Sequence, residues 1–212
     1  MQEERYIIHA CPERRWYVDQ YLVPSMDGLD VQVCCDDNHI GNLESCMQIF
    51  RNMTGDGGTW HMQDDVMICR DFAERTKEHG DSIVCGFCVR KDDNMRYVGN
   101  TIPFRMWWSF PCIYIPNFLV RECADWFYRT ATRKYAERIQ TKKLDDWFFK
   151  KFLKIHYTNY PVVNLKPNLV DHIDYLLGGS VVNKERVRDV RSAFFEDKDL
   201  VRELERKIHE ST

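Results

Sequence analysis

The decapeptide WHMQDDVMIC, Trp60 to Cys69, constrains this chain most: an apolar segment stops at two adjacent carboxylates, Asp64 and Asp65, and then resumes. Left charged and unpaired in a low-dielectric interior, each acid would cost several kcal/mol. A fold that buries the flanking residues must either bring Asp64 and Asp65 to water at a strand end or tight turn, or supply them with a cation. Acidic oxygen ligands favour Mg²⁺ or Mn²⁺ over softer metals. The spacing leaves both arrangements open.

The pattern before and after that segment predicts an α/β fold. Tyr6 to Ala10 reads as a first strand, and Pro12 suits the opening turn of a helix from Glu13 to about Tyr21, where its missing N–H is not needed. Val31 to Cys35 is a second strand, followed by Asp36 and Asp37. From Gly41 to Asn52, Leu43, Cys46, Met47 and Phe50 recur at helical spacing. The strand that delivers Asp64 and Asp65 comes next, then a short helix from Asp71 to His79 stopped by Gly80, and a strand from Ser82 to Val89. Such alternation indicates a mostly parallel sheet covered by helices on both faces, and ligands of these sheets bind outside the carboxyl ends of the strands. His9, Asp36, Asp37, Asp64 and Asp65 all fall at such ends, which predicts a common pocket.

The 212 residues, 44% hydrophobic and 13% aromatic, suffice for one domain, or one domain with a small appendage. There is no run of about 18 apolar residues and no charged-then-apolar leader, so neither a membrane span nor export is expected. Nine cysteines without a regular framework fit reduced thiols in a cytoplasm. Cys85 and Cys88 have redox or zinc spacing, but they lie in an apolar run with no second pair nearby, so a core role is the better reading, as for Cys34 and Cys35. A net charge of -3 argues against a strongly electrostatic nucleic-acid binder, although a local groove can still be basic.

Further along, Lys91 to Asn117 is rich in Trp, Phe and Pro without a clean period; Trp107 and Trp108 are either core or the wall of an acceptor site on which a ring stacks. Asn117 caps a helix to about Arg129. The basic stretch from Arg129 to Lys143 is either a solvated face or a contact for a phosphate-bearing acceptor. Asp145 and Asp146 open an aromatic helix, where the dipole stabilises acids and should lower their pKa. From Asn183 onward, two apolar stripes, Val187–Val190–Phe194 and Leu200–Val201–Leu204–Ile208, predict a helical hairpin that packs on the domain or forms a homodimer contact.

Three motifs carry a resemblance. Gln63-Asp64-Asp65-Val66, preceded by the Gly-rich Thr54 to Gly58, looks like an Asp-x-Asp-type element. Asp145-Asp146-Trp147 is similar to an acidic acceptor-side motif, and Lys166 to Ile173 followed by Gly178-Gly179-Ser180 is similar to a carboxyl-terminal Pro-x-Leu-Val-x-His segment. In this order, over residues 5 to 182, the chain resembles GT-A fold nucleotide-diphospho-sugar glycosyltransferases of the small cytoplasmic kind found in bacteria and bacteriophages. The resemblance implies a GT-A-like domain over residues 1–182 with a helical extension over 183–212. It implies that Asp65 and His172 hold Mn²⁺ or Mg²⁺, with Asp64 beside them, and that Asp145 or Asp146 is the general base toward an acceptor hydroxyl. His9, Pro12, Arg14, Arg15, Asp36, Asp37, Asn42, Asp64 and Ser180 would bind the nucleotide-sugar donor, and Trp107, Trp108 and Trp147 the acceptor. Hydroxylated bases in bacteriophage DNA are one acceptor class that some of these enzymes use. Asp174 to Gly178 is an insert relative to the family spacing between His172 and Ser180, and Gly178 and Gly179 can bring N–H groups close to a phosphate. On this reading Asp65→Ala removes activity and leaves the melting temperature similar. The rival classes are a nucleotidyltransferase, which would want Gly and Lys in the first loop where His9 to Arg15 has neither, and a non-catalytic nucleotide-binding protein.

Overall fold

A computed structural model of the chain describes residues 5–77, 79–87, 101–103, 110–130, 145–179, 192 and 194–211. Trp107, Trp108, Ser180, Cys88 and the basic stretch after Thr130 lie outside the described residues, as does most of the first arm of the expected hairpin.

The period-two segments became the strands β1 (Arg5–Ala10), β2 (Asp30–Cys35) and β3 (Gly58–Gln63). They run parallel in the order β2-β1-β3. The same sheet continues through β7 (Cys112–Pro116), β5 (Ile83–Cys85), β8 (Pro161–Asn164) and β6 (Thr101–Pro103). Because β7 is antiparallel to both β3 and β5, and β8 is parallel to β5, five of the seven strands point the same way. The expected α/β architecture with a mostly parallel sheet is therefore present.

Alternation along the strands sorts the core into two layers. Ile7, Ile83, Cys85, Ile113 and Ile115 face one layer, which is covered by α2 (Asn42–Arg51), α4 (Asn117–Thr130) and α5 (Asp145–His156). The four residues whose spacing predicts α2, Leu43, Cys46, Met47 and Phe50, are all buried there. Tyr6, Ile8, Ala10, Trp60, Met62, Cys112 and Tyr114 face the other layer. That layer holds Tyr17, Val18 and Leu22, Phe72, and Val201 and Leu204 of α6 (Lys198–Ser211). Asn117, expected as a cap, instead bonds sideways: its Oδ1 accepts from Thr59 Oγ1 at 2.8 Å and its amide donates to Thr54 O at 3.1 Å.

Three elements differ from the sequence expectation. The first helix is a chain of short turns: a 3-10 turn Pro12–Arg14, α1 (Arg15–Tyr17), a π turn Val18–Leu22 and a second 3-10 turn beginning at Pro24. Pro24 cannot continue the helical ladder, and the irregular winding turns Arg14, Tyr17, Val18 and Leu22 all inward. The next helix shrinks to α3 (Phe72–Arg75), because the Thr76 hydroxyl bonds back to Phe72 O at 2.9 Å while its carbonyl accepts the Trp60 indole N–H at 3.0 Å. The strand after it stops at Cys85, where the Gly86 N–H goes to Cys112 O and its carbonyl to the Leu169 N–H. A Cβ on Gly86 would sit 2.9 Å from Cys112 Sγ and 3.0 Å from Leu169.

A second, two-stranded antiparallel sheet joins β4 (Val66–Ile68) to β9 (Val170–His172) and sets Val66 opposite His172. Cys85 is a buried free thiol, as the core reading requires, whereas Cys34 and Cys35 are free thiols only partly buried; the cysteines at 46, 69, 112 and 123 are buried and free as well.

Candidate functional site

β1 and β3 are adjacent and parallel, so their carboxyl ends release the chain side by side. After β3, Asp64 and Asp65 form the turn into β4, and Ile173 donates its N–H to Asp65 O at 2.8 Å. The Tyr17 hydroxyl steadies the next residue by donating to Val66 O at 2.7 Å. Pairing of β4 with β9 is what carries His172, distant in sequence, to the acid turn.

After β1, Cys11 donates its N–H to Asp64 Oδ2 at 2.7 Å, and Pro12 opens the turn that buries Arg14. One guanidinium nitrogen of Arg14 bridges the two acids, donating to Asp64 Oδ1 at 3.0 Å and to Asp65 Oδ2. The other donates to Gly179 O at 2.9 Å. His172 Nε2 lies 3.4 Å from Asp65 Oδ2, and its Nδ1 lies 3.3 Å from Asp174 Oδ1, both ion-pair distances. Arg14, Asp64, Asp65 and Asp174 are all buried, none more than 8% exposed, so the cluster is desolvated.

Three carboxylates therefore face two cationic side chains. Burial works against charge on Asp65, yet the His172 imidazolium and the Arg14 guanidinium hold its carboxyl well below the usual range. Asp64 goes the other way: burial and the Asp65 charge push it up, against Arg14 and the Cys11 N–H. Burial opposes the charge of His172, but Asp65 and Asp174 outweigh it and raise its pKa to about 10. As folded here, His172 is an imidazolium directed at two carboxylates. Burial and the neighbouring acids likewise raise the Tyr17 phenol, which stays neutral.

Asp65 Oδ1 is buried and has no hydrogen-bond partner among the described residues. An ionised oxygen in that state is what a hard divalent cation accepts, so Asp65 and the adjacent Asp64 fit Mg²⁺ or Mn²⁺. With Arg14 seated on the acids, no three His, Cys, Asp or Glu side chains among the described residues form a metal-ligating cluster.

The other sequence-predicted residues are placed as follows. Both oxygens of Asp36 accept loop N–H groups, from Ile40 and Gly41 at 2.9 Å each, which shapes the turn into α2. Asp37 is exposed and Asn42 half-buried at the start of α2. Arg15 is exposed and pairs with Asp19 at 2.8 Å. Asp145 and Asp146 open α5; Asp146 Oδ1 accepts the Trp147 N–H at 2.6 Å. Burial raises the pKa of Asp146 and outweighs that N–H and Lys150, the reverse of the expected lowering at a helix start. Trp147 is exposed, with the Lys151 ammonium 5.3 Å from its ring centre. The Gly179 N–H donates to Asp174 O at 2.8 Å, so it is used inside the loop rather than held open for the expected phosphate contact.

Asp174, the Gly179 carbonyl and the Cys11 N–H join the site without having been singled out. Asp174 belongs to the insert between His172 and Gly178, and an acid two residues beyond a histidine was the available signal.

His9 stands apart from this cluster. Its Nε2 is 3.0 Å from His61 Nδ1, and both rings stack edge-on against Phe50, in the layer of Ile7 rather than that of Ile8 and Ala10. Burial lowers the pKa of His9 from 6.5 to about 4 and holds that of His61 well below its usual value, with His9 as a second cause there. A histidine kept neutral by the fold contributes stability that is complete above its unfolded value and is lost as pH falls through its folded one. The protein should therefore lose stability between pH 6.5 and about 4, by on the order of 2 kcal/mol from His9 once its residual exposure is allowed for. Urea unfolding over that range should show the slope in the wild type and a flatter one in His9→Gln; an unchanged slope would assign it to other groups.

No family model and no curated protein matches the chain in sequence. Among solved structures, the chain is similar to a Drosophila beta-1,4-galactosyltransferase 7 mutant in complex with manganese, UDP-Gal and xylobiose, with TM-score 0.44 and 10% identity over 93% of this chain and 79% of that one. It is also similar to the inositol-1-phosphate CTP transferase from T. maritima, with TM-score 0.43 and 12% identity over 97% of this chain and 77% of that one.

Proposed function

We propose that this protein is a divalent-cation-dependent glycosyltransferase that moves a sugar from a nucleoside diphosphate to an acceptor hydroxyl. One observation carries the reading: a buried acid pair stands at the carboxyl edge of parallel strands, and Asp65 Oδ1 has no hydrogen-bond partner among the described residues. Asp65, with Asp64 beside it and His172 once neutral, would hold the cation, which supplies Lewis-acid neutralisation of the departing diphosphate. Arg14 and the exposed Arg15 bring positive charge to the edge where the nucleotide would lie. Asp146 suits the general base, since its raised pKa makes it a better proton acceptor than a solvated aspartate. The acceptor class rests on the basic stretch after Arg129 and on the aromatic residues; a hydroxylated base in DNA fits both.

A melting-temperature panel tests the reading. At a ligand concentration near one hundred times Kd, UDP with Mn²⁺ should stabilise the fold by about 2.7 kcal/mol, a rise of roughly 5–10 °C for a chain of this size. A rise with nucleoside triphosphate and Mg²⁺ alone would indicate a nucleotidyltransferase instead, and no rise with either would remove the nucleotide-sugar reading.

A further inference from the structure

We propose that Arg14 is a built-in counter-ion of the Asp64–Asp65 pair: its guanidinium keeps the acids closed in the ligand-free protein and must leave them before a divalent cation is taken. The inference rests on the metal reading above and adds to it an internal competitor. Two adjacent carboxylates cannot stay buried and ionised without a cation, and a planar guanidinium can satisfy both at once. Here a single nitrogen of Arg14 bridges Asp64 Oδ1 and Asp65 Oδ2. Its second nitrogen is tied to Gly179 O, so that the first loop and the last loop of the site are latched by one side chain. Both glycines of that last loop have positive φ, 90° at Gly178 and 86° at Gly179, a backbone that presents the Gly179 carbonyl inward and that other residues rarely adopt.

The latch is also built to open. Arg14 lies on a three-residue 3-10 turn rather than on a strand, and its Nε is buried with no hydrogen-bond partner among the described residues, so its seat is incompletely satisfied. Once displaced, the guanidinium remains at the mouth of the acid turn with its charge unspent, next to a freed Gly179 carbonyl. An anionic diphosphate is a suitable new partner for it. The acids then accept a cation readily only when an anion is present to receive Arg14, which couples donor and metal loading and keeps the free protein from holding the metal alone.

Calorimetric titration of MnCl₂ into the full chain without nucleotide tests this directly. Arg14→Gln should bind Mn²⁺ about tenfold or more tightly than wild type, the factor expected if the open arrangement is populated at roughly one part in ten or less. Arg14→Lys keeps a charge but lacks the fork, and should fall between the two. UDP should tighten Mn²⁺ binding in the wild type more than in Arg14→Gln. Should Arg14→Gln be unfolded without metal, the comparison is made with Arg14→Lys, whose melting temperature should rise further with Mn²⁺ than that of wild type. Equal or weaker Mn²⁺ binding by the variants overturns the counter-ion and leaves the metal reading standing. Absence of Mn²⁺ binding in all three chains, with and without UDP, overturns both.

Discussion

Asp65→Ala should abolish Mn²⁺-dependent transfer or hydrolysis of a nucleotide sugar, lowering kcat/KM by about three orders of magnitude, equivalent to roughly 4 kcal/mol of lost charge stabilisation. The same change should also weaken the fold. Asp65 Oδ2 is the point on which the Arg14 guanidinium and the His172 imidazolium converge, and both would stay buried after its loss. Removing one partner of a buried ion pair costs about 3–5 kcal/mol. For a chain of this size that is a drop of roughly 6–20 °C in melting temperature, in contrast to the unchanged stability that the sequence alone suggests. Asp64→Asn should be milder on stability, because burial and its neighbour already press Asp64 toward its neutral form. Nucleotide release assayed below the variant's melting temperature, together with calorimetric melting, separates the two effects. Full activity in Asp65→Ala would end the metal assignment.

Trp60→Ala should be the most damaging core substitution in the layer that carries the site. The side chain is fully buried, its ring centre lies 5.2 Å from His79 and 5.6 Å from Tyr114, and its indole N–H caps Thr76 O, the carbonyl that closes α3. Large-to-small changes of this kind cost about 3–5 kcal/mol through lost transfer energy and the cavity left behind. Trp60→Phe should recover a good part of that, failing mainly by the lost hydrogen bond, worth about 1 kcal/mol. Urea midpoints for the two variants decide the matter, and a loss under about 1 kcal/mol in Trp60→Ala would mean the core collapses around the gap.

What the sequence revealed depends on how local the determining interaction is. β1, β2, β3 and α2 were legible because their apolar residues repeat with period two or at helical spacing within a single window, and that repeat also fixes which face is buried. The acid turn was legible because two charges in an apolar run are costly wherever the chain goes. Arg14 could be placed in the first loop but not onto Asp64 and Asp65, since its contact spans fifty residues and depends on an irregular turn that no periodicity announces. β4 and β9, three residues each, are too short to carry a pattern. The placement of His9 follows from local alternation along β1, which puts it with Ile7, across the sheet from Ile8 and Ala10, and so toward Phe50. At Asp146 the dipole expected to lower the pKa is outweighed by burial of the carboxyl, a long-range property that the helix-start pattern does not carry.

The ladder between Val66 and His172 closes a span of over a hundred residues. During synthesis the acid turn and its guanidinium emerge first, and the imidazole that completes the cluster follows only after that whole span. Contacts so far apart in sequence form late and slowly. A ribosome-bound chain stalled before Leu169 would thus hold the carboxylates and Arg14 without either His172 or the Gly179 carbonyl, and the cluster would close only when β9 docks on β4.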